Sequence, residues 1–173
     1  ICFDGTNFDS LKGFRSVSSK LTGHGESHLN PEGVLLSNGP LGSALPQAQG
    51  LAIGDKLAGN DRVTIAVVSD GASMEGEDKE AYAAIPGLAA KGRLNPFVLV
   101  ISDNDTKLSG RITEDAFSMH PSLVAMTALG WNVIQVPHGN DLQEVYLAIE
   151  KAIAAAKANQ NQPVCVECKT VKV

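Results

Sequence analysis

Two apolar runs, each stopping on oxygen-bearing side chains, constrain this chain more than anything else in it. Val63-Thr64-Ile65-Ala66-Val67-Val68 leads through Ser69 into Asp70-Gly71, and further on Phe97-Val98-Leu99-Val100-Ile101 leads through Ser102 into Asp103-Asn104. Read as two parallel strands, the runs deliver a carboxylate and an amide to the carboxyl edge of one sheet, where open α/β folds take their ligands. Hard oxygen donors suit magnesium, and magnesium that keeps open positions recruits phosphate oxygens. The pairing predicts a magnesium-bridged phosphate or diphosphate site.

The elements around the two runs alternate between strand and helix. Gly39-Pro40-Leu41-Gly42 is a turn signal, followed by a predicted helix through about residue 58, with Ser43 as N-cap and Pro46 in its first turn. Gly50 and Gly54 fall four apart on that helix, a spacing that predicts close approach to another backbone. A helix is predicted over 74–90, with Pro86 marking a kink or early end and Gly92 a stop. The stretch 102–118 reads as a loop, 121–129 as a short helix, 132–136 as a strand and 142–158 as an amphipathic helix; 163–171 is the last strand. Strands alternating with helices imply right-handed βαβ units and a parallel α/β sheet. Residues 14–37, rich in Ser, Gly, His, Asn and Pro, read as a long functional loop.

Composition removes several classes of function. With 173 residues the length fits one domain, and a net charge of −5 with no extended basic cluster argues against a nucleic-acid surface. No apolar run approaches the roughly 18 residues of a membrane span, and no signal-peptide pattern is visible, so a cytoplasmic protein is the expectation. Three cysteines are too few for a disulfide framework. Cys165-Val166-Glu167-Cys168 lies in an alternating strand-like run, where residues three apart face opposite sides, so its thiols are not expected to converge. The chain starts at Ile1-Cys2-Phe3-Asp4 and stops after Val171-Lys172-Val173, which reads as truncation at both ends.

At the first strand end, Gly71 admits a phosphate close to the backbone, and a helix starting just after it would offer its N-terminal dipole to an anion, with Glu75 in the first turn. Taken singly, these residues are an ordinary turn and a dipole-complementing acid. His24 and His28 by themselves read as solvated loop histidines, since a zinc site there lacks further ligands, and His120 and His138 read as surface residues.

Together the motifs resemble the thiamine-diphosphate enzymes, and among them the transketolases. Ser69-Asp70-Gly71-Ala72-Ser73-Met74-Glu75-Gly76, closed by Asp103-Asn104, is similar to the family's Gly-Asp-Gly-x-x-Met-Glu-Gly with its downstream Asn. Gly39-Pro40-Leu41-Gly42 matches a family turn, and Gly23-His24-Gly25-Glu26 resembles the family's Gly-His-Pro-Glu. Leu129-Gly130-Trp131-Asn132-Val133 and Glu167-Cys168-Lys169-Thr170 extend the likeness in order along nearly the whole chain. The departures are Ser69 for Gly, Gly25 for Pro and Ser43-Ala44 for Gln-Gly.

The resemblance implies a doubly wound, mostly parallel sheet with helices on both faces, residues 1–173 forming one thiamine diphosphate- and magnesium-binding domain. It implies magnesium (or calcium) held by Asp70, Asn104 and the main-chain carbonyl of Thr106. Gly71 would lend its N–H to the diphosphate, and Gly39 and Leu41 would border the aminopyrimidine. Glu75 would belong to a carboxylate network joining two active sites of a homodimer, and His24 would face the sugar substrate. The implied activity is two-carbon ketol transfer between sugar phosphates, as in the pentose phosphate pathway. A pyrimidine-binding domain or subunit with its activating glutamate is not found in this sequence. Deoxyxylulose-phosphate synthase, a 2-oxoacid dehydrogenase component and a non-catalytic magnesium-phosphate module are the alternatives.

Overall fold

The computed structural model describes residues 8–172, so Cys2 and both chain ends lie outside the described residues. These residues divide into two units, one ending at Pro40 and one beginning at Leu41. In the first, a 3-10 helix over Phe8–Gly13 is followed by turns and bends. Its turns are tied by bonds such as Arg15 N–H to the Leu21 carbonyl (2.7 Å) and Asn38 N–H to the Gly25 carbonyl (3.0 Å). The irregular character predicted for 14–37 is what the structure has.

The second unit holds the sheet. Its elements are α1 (Ala44–Ala58), β1 (Thr64–Ser69), α2 (Gly76–Ala89), β2 (Phe97–Asp103), β3 (Thr106–Lys107), β4 (Gly110–Arg111), α3 (Ile112–Asp115), α4 (His120–Ala128), β5 (Asn132–Val136), α5 (Leu142–Ala158) and β6 (Val164–Lys169). The main sheet runs β1-β2-β6-β5, and every pairing is parallel. In register, Ser69 lies beside Ser102, and Ser102 beside Cys168, so all three strands end at one edge.

Alternation along the strands builds two cores. Ala66, Val68, Leu99, Ile101 and Cys165 pack on one face with α1, α2 and α4, around Trp131 and Phe97 in edge-to-face contact at 6.2 Å. Val98, Val100, Val164, Val166 and Cys168 pack on the other face under Ala148, Ala152 and Ala156 of α5. Connections that advance along the sheet carry their helices on one face, and the return from β5 to β6 carries α5 on the opposite face, as right-handed crossovers require. Asp141 caps α5 by accepting the N–H groups of Gln143 and Glu144. Cys165 and Cys168 are free and lie in different cores, the outcome foreseen from strand alternation.

Several expectations are corrected. Ser43 has helical backbone angles and makes no capping bond to α1. Among the described residues no atom lies within 4 Å of a Cβ built on Gly50 or Gly54, so the close approach expected there is not made by them. The helix predicted from residue 74 is a 3-10 turn, Ala72–Met74, followed by α2 from Gly76. Glu75 is therefore an extended N-cap residue outside the first turn. Pro86 does not stop α2, which runs on to Ala89. The segment 102–118 contains the β3–β4 hairpin and α3. β1 is an edge strand with only one face covered, leaving Ile65 44% and Val67 69% exposed.

Candidate functional site

The carboxyl edge gathers Asp70, Gly71, Asn104 and Thr106, which the sequence had placed on two separate strand ends. Asp70 is 1% exposed. Its Oδ1 accepts the Gly71 N–H at 2.9 Å, and its Oδ2 accepts the N–H groups of Asn104 (3.1 Å) and Asp105 (2.6 Å). One carboxylate thus ties the end of β1 to the turn leaving β2. Burial raises the Asp70 pKa above its ordinary value of 3.8; the backbone bonds from Asp105, Gly71 and Asn104 pull the other way, and the charge of Asp103 adds to the rise.

The turn after β2 is shaped by Asp105, whose φ of 55° is left-handed, a conformation Asp tolerates better than most residues. Its carboxylate accepts the Thr113 N–H (2.9 Å) and hydroxyl (2.7 Å), fixing the start of α3 and holding its pKa below the usual value. Asn104 donates through Nδ2 to Ser102 Oγ at 3.4 Å, while its Oδ1 is buried and accepts no bond from the described residues. The Thr106 carbonyl comes within 3.5 Å of a Cβ built on Gly71. Arg111 braces the same turn, donating to Thr106 Oγ1 (3.1 Å) and to the Asn104 carbonyl (3.4 Å).

These donors fit a hard cation. A buried amide oxygen with no partner costs free energy unless something electropositive meets it. One carboxylate, one amide and one carbonyl leave positions open for phosphate oxygens, as magnesium sites commonly do. Among the described residues no group of three or more His, Cys, Asp or Glu could hold a metal. Beside Asp70 lies a cleft of about 190 Å³ bordered by Asp103, Asp105, His120 and Lys169. Lys169 pairs with Asp103 at 2.8 Å, and that carboxylate raises the lysine's pKa.

The other predicted residues fall elsewhere. Gly71 has ordinary helical angles and its N–H is already engaged by Asp70. Only the short 3-10 turn Ala72–Met74 begins directly after it, so the α-helical dipole expected at Gly71 belongs to α2, which starts at Gly76. Glu75 is exposed and packs against Gly42, whose φ of 83° and contact with the Glu75 Cβ leave no room for a side chain. Leu41 is exposed in the second unit. In the first unit His24 is exposed and its carbonyl accepts the Thr22 hydroxyl at 2.5 Å. A Cβ built on Gly39 would lie 4.0 Å from His24 Cδ2. His24, Leu11, Phe14, Thr22 and Val34 border an apolar hollow of about 450 Å³ in that unit. His28, His120 and His138 are exposed, as foreseen. Asp105 and Arg111 escaped the sequence reading. The Asp-Asn-Asp run was the available signal for Asp105; nothing local marked Arg111.

The chain matches the model of the transketolase thiamine diphosphate binding domain over residues 2–172. It is 37% identical over 172 residues to a transketolase of Staphylococcus aureus, covering 94% of this chain and 24% of the relative. To the chloroplastic transketolase of Solanum tuberosum it is 34% identical over 178 residues, covering 97% and 23%. Among solved structures, a transketolase of Pichia stipitis superposes with a TM-score of 0.79 at 28% identity, covering 94% of this chain and 24% of that one. One from Leishmania mexicana gives 0.76 at 29%, covering 95% and 24%. The chain spans about a quarter of the length of these relatives. On the family match across nearly every residue, this chain belongs to the transketolase family, within its thiamine diphosphate binding domain.

Proposed function

We propose that this chain supplies the magnesium- and diphosphate-holding half of a thiamine-diphosphate-dependent transketolase that moves a two-carbon ketol unit between sugar phosphates. The observation that carries the reading is the buried, partnerless Oδ1 of Asn104 next to the thrice-bonded carboxylate of Asp70. Asp70, Asn104 and the Thr106 carbonyl would hold the cation. The Gly71 N–H would be shared between Asp70 and the diphosphate. When bound, the cofactor's thiazolium ring supplies the carbanion chemistry that no protein side chain offers.

The remaining roles follow the family. Gly39 and Leu41 border the aminopyrimidine through backbone atoms. Glu75, exposed at the N-cap of α2, joins a carboxylate network with a second subunit of a homodimer. His24 faces the sugar substrate, where it hydrogen-bonds hydroxyls or passes protons. Residues 1–173 act as one cofactor-binding domain, and a pyrimidine-binding domain or subunit completes the active site. Among the described residues no helix is long and apolar enough to cross a membrane, and the proposed setting is the cytoplasm.

Calorimetric titration with thiamine diphosphate, with and without magnesium, tests the reading. Magnesium-dependent binding that Asp70→Ala abolishes is the expected result. Unchanged affinity in Asp70→Ala refutes the metal role.

A further inference from the structure

A buried line of hydrogen bonds runs from the core of the second unit to the Asp70–Gly71 turn, and the roles assigned above leave it unused. It begins at Pro86. Proline has no N–H, so the carbonyl four residues earlier in α2, that of Tyr82, lacks its helical donor. The Trp131 indole N–H fills that place at 2.8 Å and fixes Tyr82 from behind. The Tyr82 hydroxyl then donates to Ser73 Oγ at 2.5 Å. Ser73 Oγ donates to the main-chain carbonyl of Ser69 at 2.9 Å, one residue before Asp70. Ser69 Oγ closes the turn by accepting the Ala72 N–H at 3.2 Å. Tyr82 and Ser73 are buried, so water does not stand in for either partner.

We infer that Tyr82, acting through Ser73, is a positioning residue that fixes the end of β1 so that the Asp70 carboxylate presents itself to a divalent cation. The inference rests on the reading of Asp70 as a cation ligand. Three hydroxyl-bearing side chains converge on one four-residue turn, and two of them bond its backbone directly. Ser69 stands where the resembled motif has glycine, and here it adds a bond across the turn that glycine lacks.

The test uses the full-length protein and manganese(II), whose free aquo ion is counted by electron paramagnetic resonance, in the presence of thiamine diphosphate. Tyr82→Phe keeps the ring and removes the hydroxyl; Ser73→Ala removes the next link. Each is expected to raise the Mn2+ Kd by roughly three- to tenfold, the worth of one net hydrogen bond. Because both cut one path, the double variant is expected to match the weaker single variant. Val166→Ala, in the opposite core, lowers the melting temperature and leaves the Mn2+ Kd unchanged. Without metal, amide exchange at Asn104 and Asp105 is expected to quicken in Tyr82→Phe. An unsubstituted protein that binds Mn2+ with a Tyr82→Phe variant that binds it equally overturns the inference alone, as do single effects that simply multiply. An unsubstituted protein that binds no Mn2+ overturns the metal reading and the inference with it.

Discussion

Asp78 offers the sharpest test of the energetics. It sits in the first turn of α2, is 0% exposed, and both carboxylate oxygens lack hydrogen-bond partners. Burial, aided by the charges of Glu77 and Glu75, raises its pKa from 3.8 to about 7. The folded protein therefore holds a proton that the unfolded chain has released once pH exceeds 3.8. The contribution of Asp78 to stability is greatest below that value, falls as pH rises, and levels off above about 7. Between pH 5 and pH 8 the folded form still gains from its proton over about 2 pH units, which amounts to roughly 3 kcal/mol at most. Asp78→Asn cannot ionise and is expected to be free of this loss. The assay is urea unfolding of both proteins at pH 5, 6, 7 and 8, with the difference between them cancelling every other titrating group. The gap should widen in favour of Asp78→Asn as pH rises. Parallel stability curves for the two proteins would refute the claim that Asp78 carries an uncompensated buried charge.

Gly42→Ala is expected to destabilise the chain by about 1–3 kcal/mol, because an L-residue is strained at positive φ and its Cβ meets Glu75; urea midpoints check it. A stability equal to the parent would show that the turn relaxes freely. Cys165 and Cys168 are buried, and burial raises both thiols above their usual pKa. Neither is expected to react with a thiol reagent in the folded protein at pH 8, while denaturant releases both; rapid native labelling located at Cys165 or Cys168 by peptide mass spectrometry would contradict their placement.

Much of the fold was legible because periodicity is a local signal. β5 and α5 begin and end where alternation and the 3.6-residue period put them, at 132–136 and 142–158. The short elements were not legible. β3, β4 and α3 each span two to four residues, too short to show a period, and are held by turn and side-chain bonds such as Thr113 to Asp105. Pro86 illustrates the same limit: α2 continues past it because Trp131, far along the chain, satisfies the carbonyl that proline strands. The helix start was misplaced for a related reason, since Gly71 and Ala72 belong to a tight turn whose hydroxyl bonds no periodicity records.

The sequence by itself determined that two apolar strands would carry Asp70 and Asn104 to one edge, since a parallel βαβ unit brings successive carboxyl ends together. It also marked Gly42 and the family to which the motifs belong. Only the tertiary structure decided what those residues do to one another. Three backbone N–H groups converge on Asp70, Asn104 Oδ1 is buried with no partner, and Gly71 gives its N–H to its neighbour. Burial and hydrogen-bond saturation are properties of the packed chain, because they depend on which distant atoms exclude water from a given oxygen, and no local pattern encodes that.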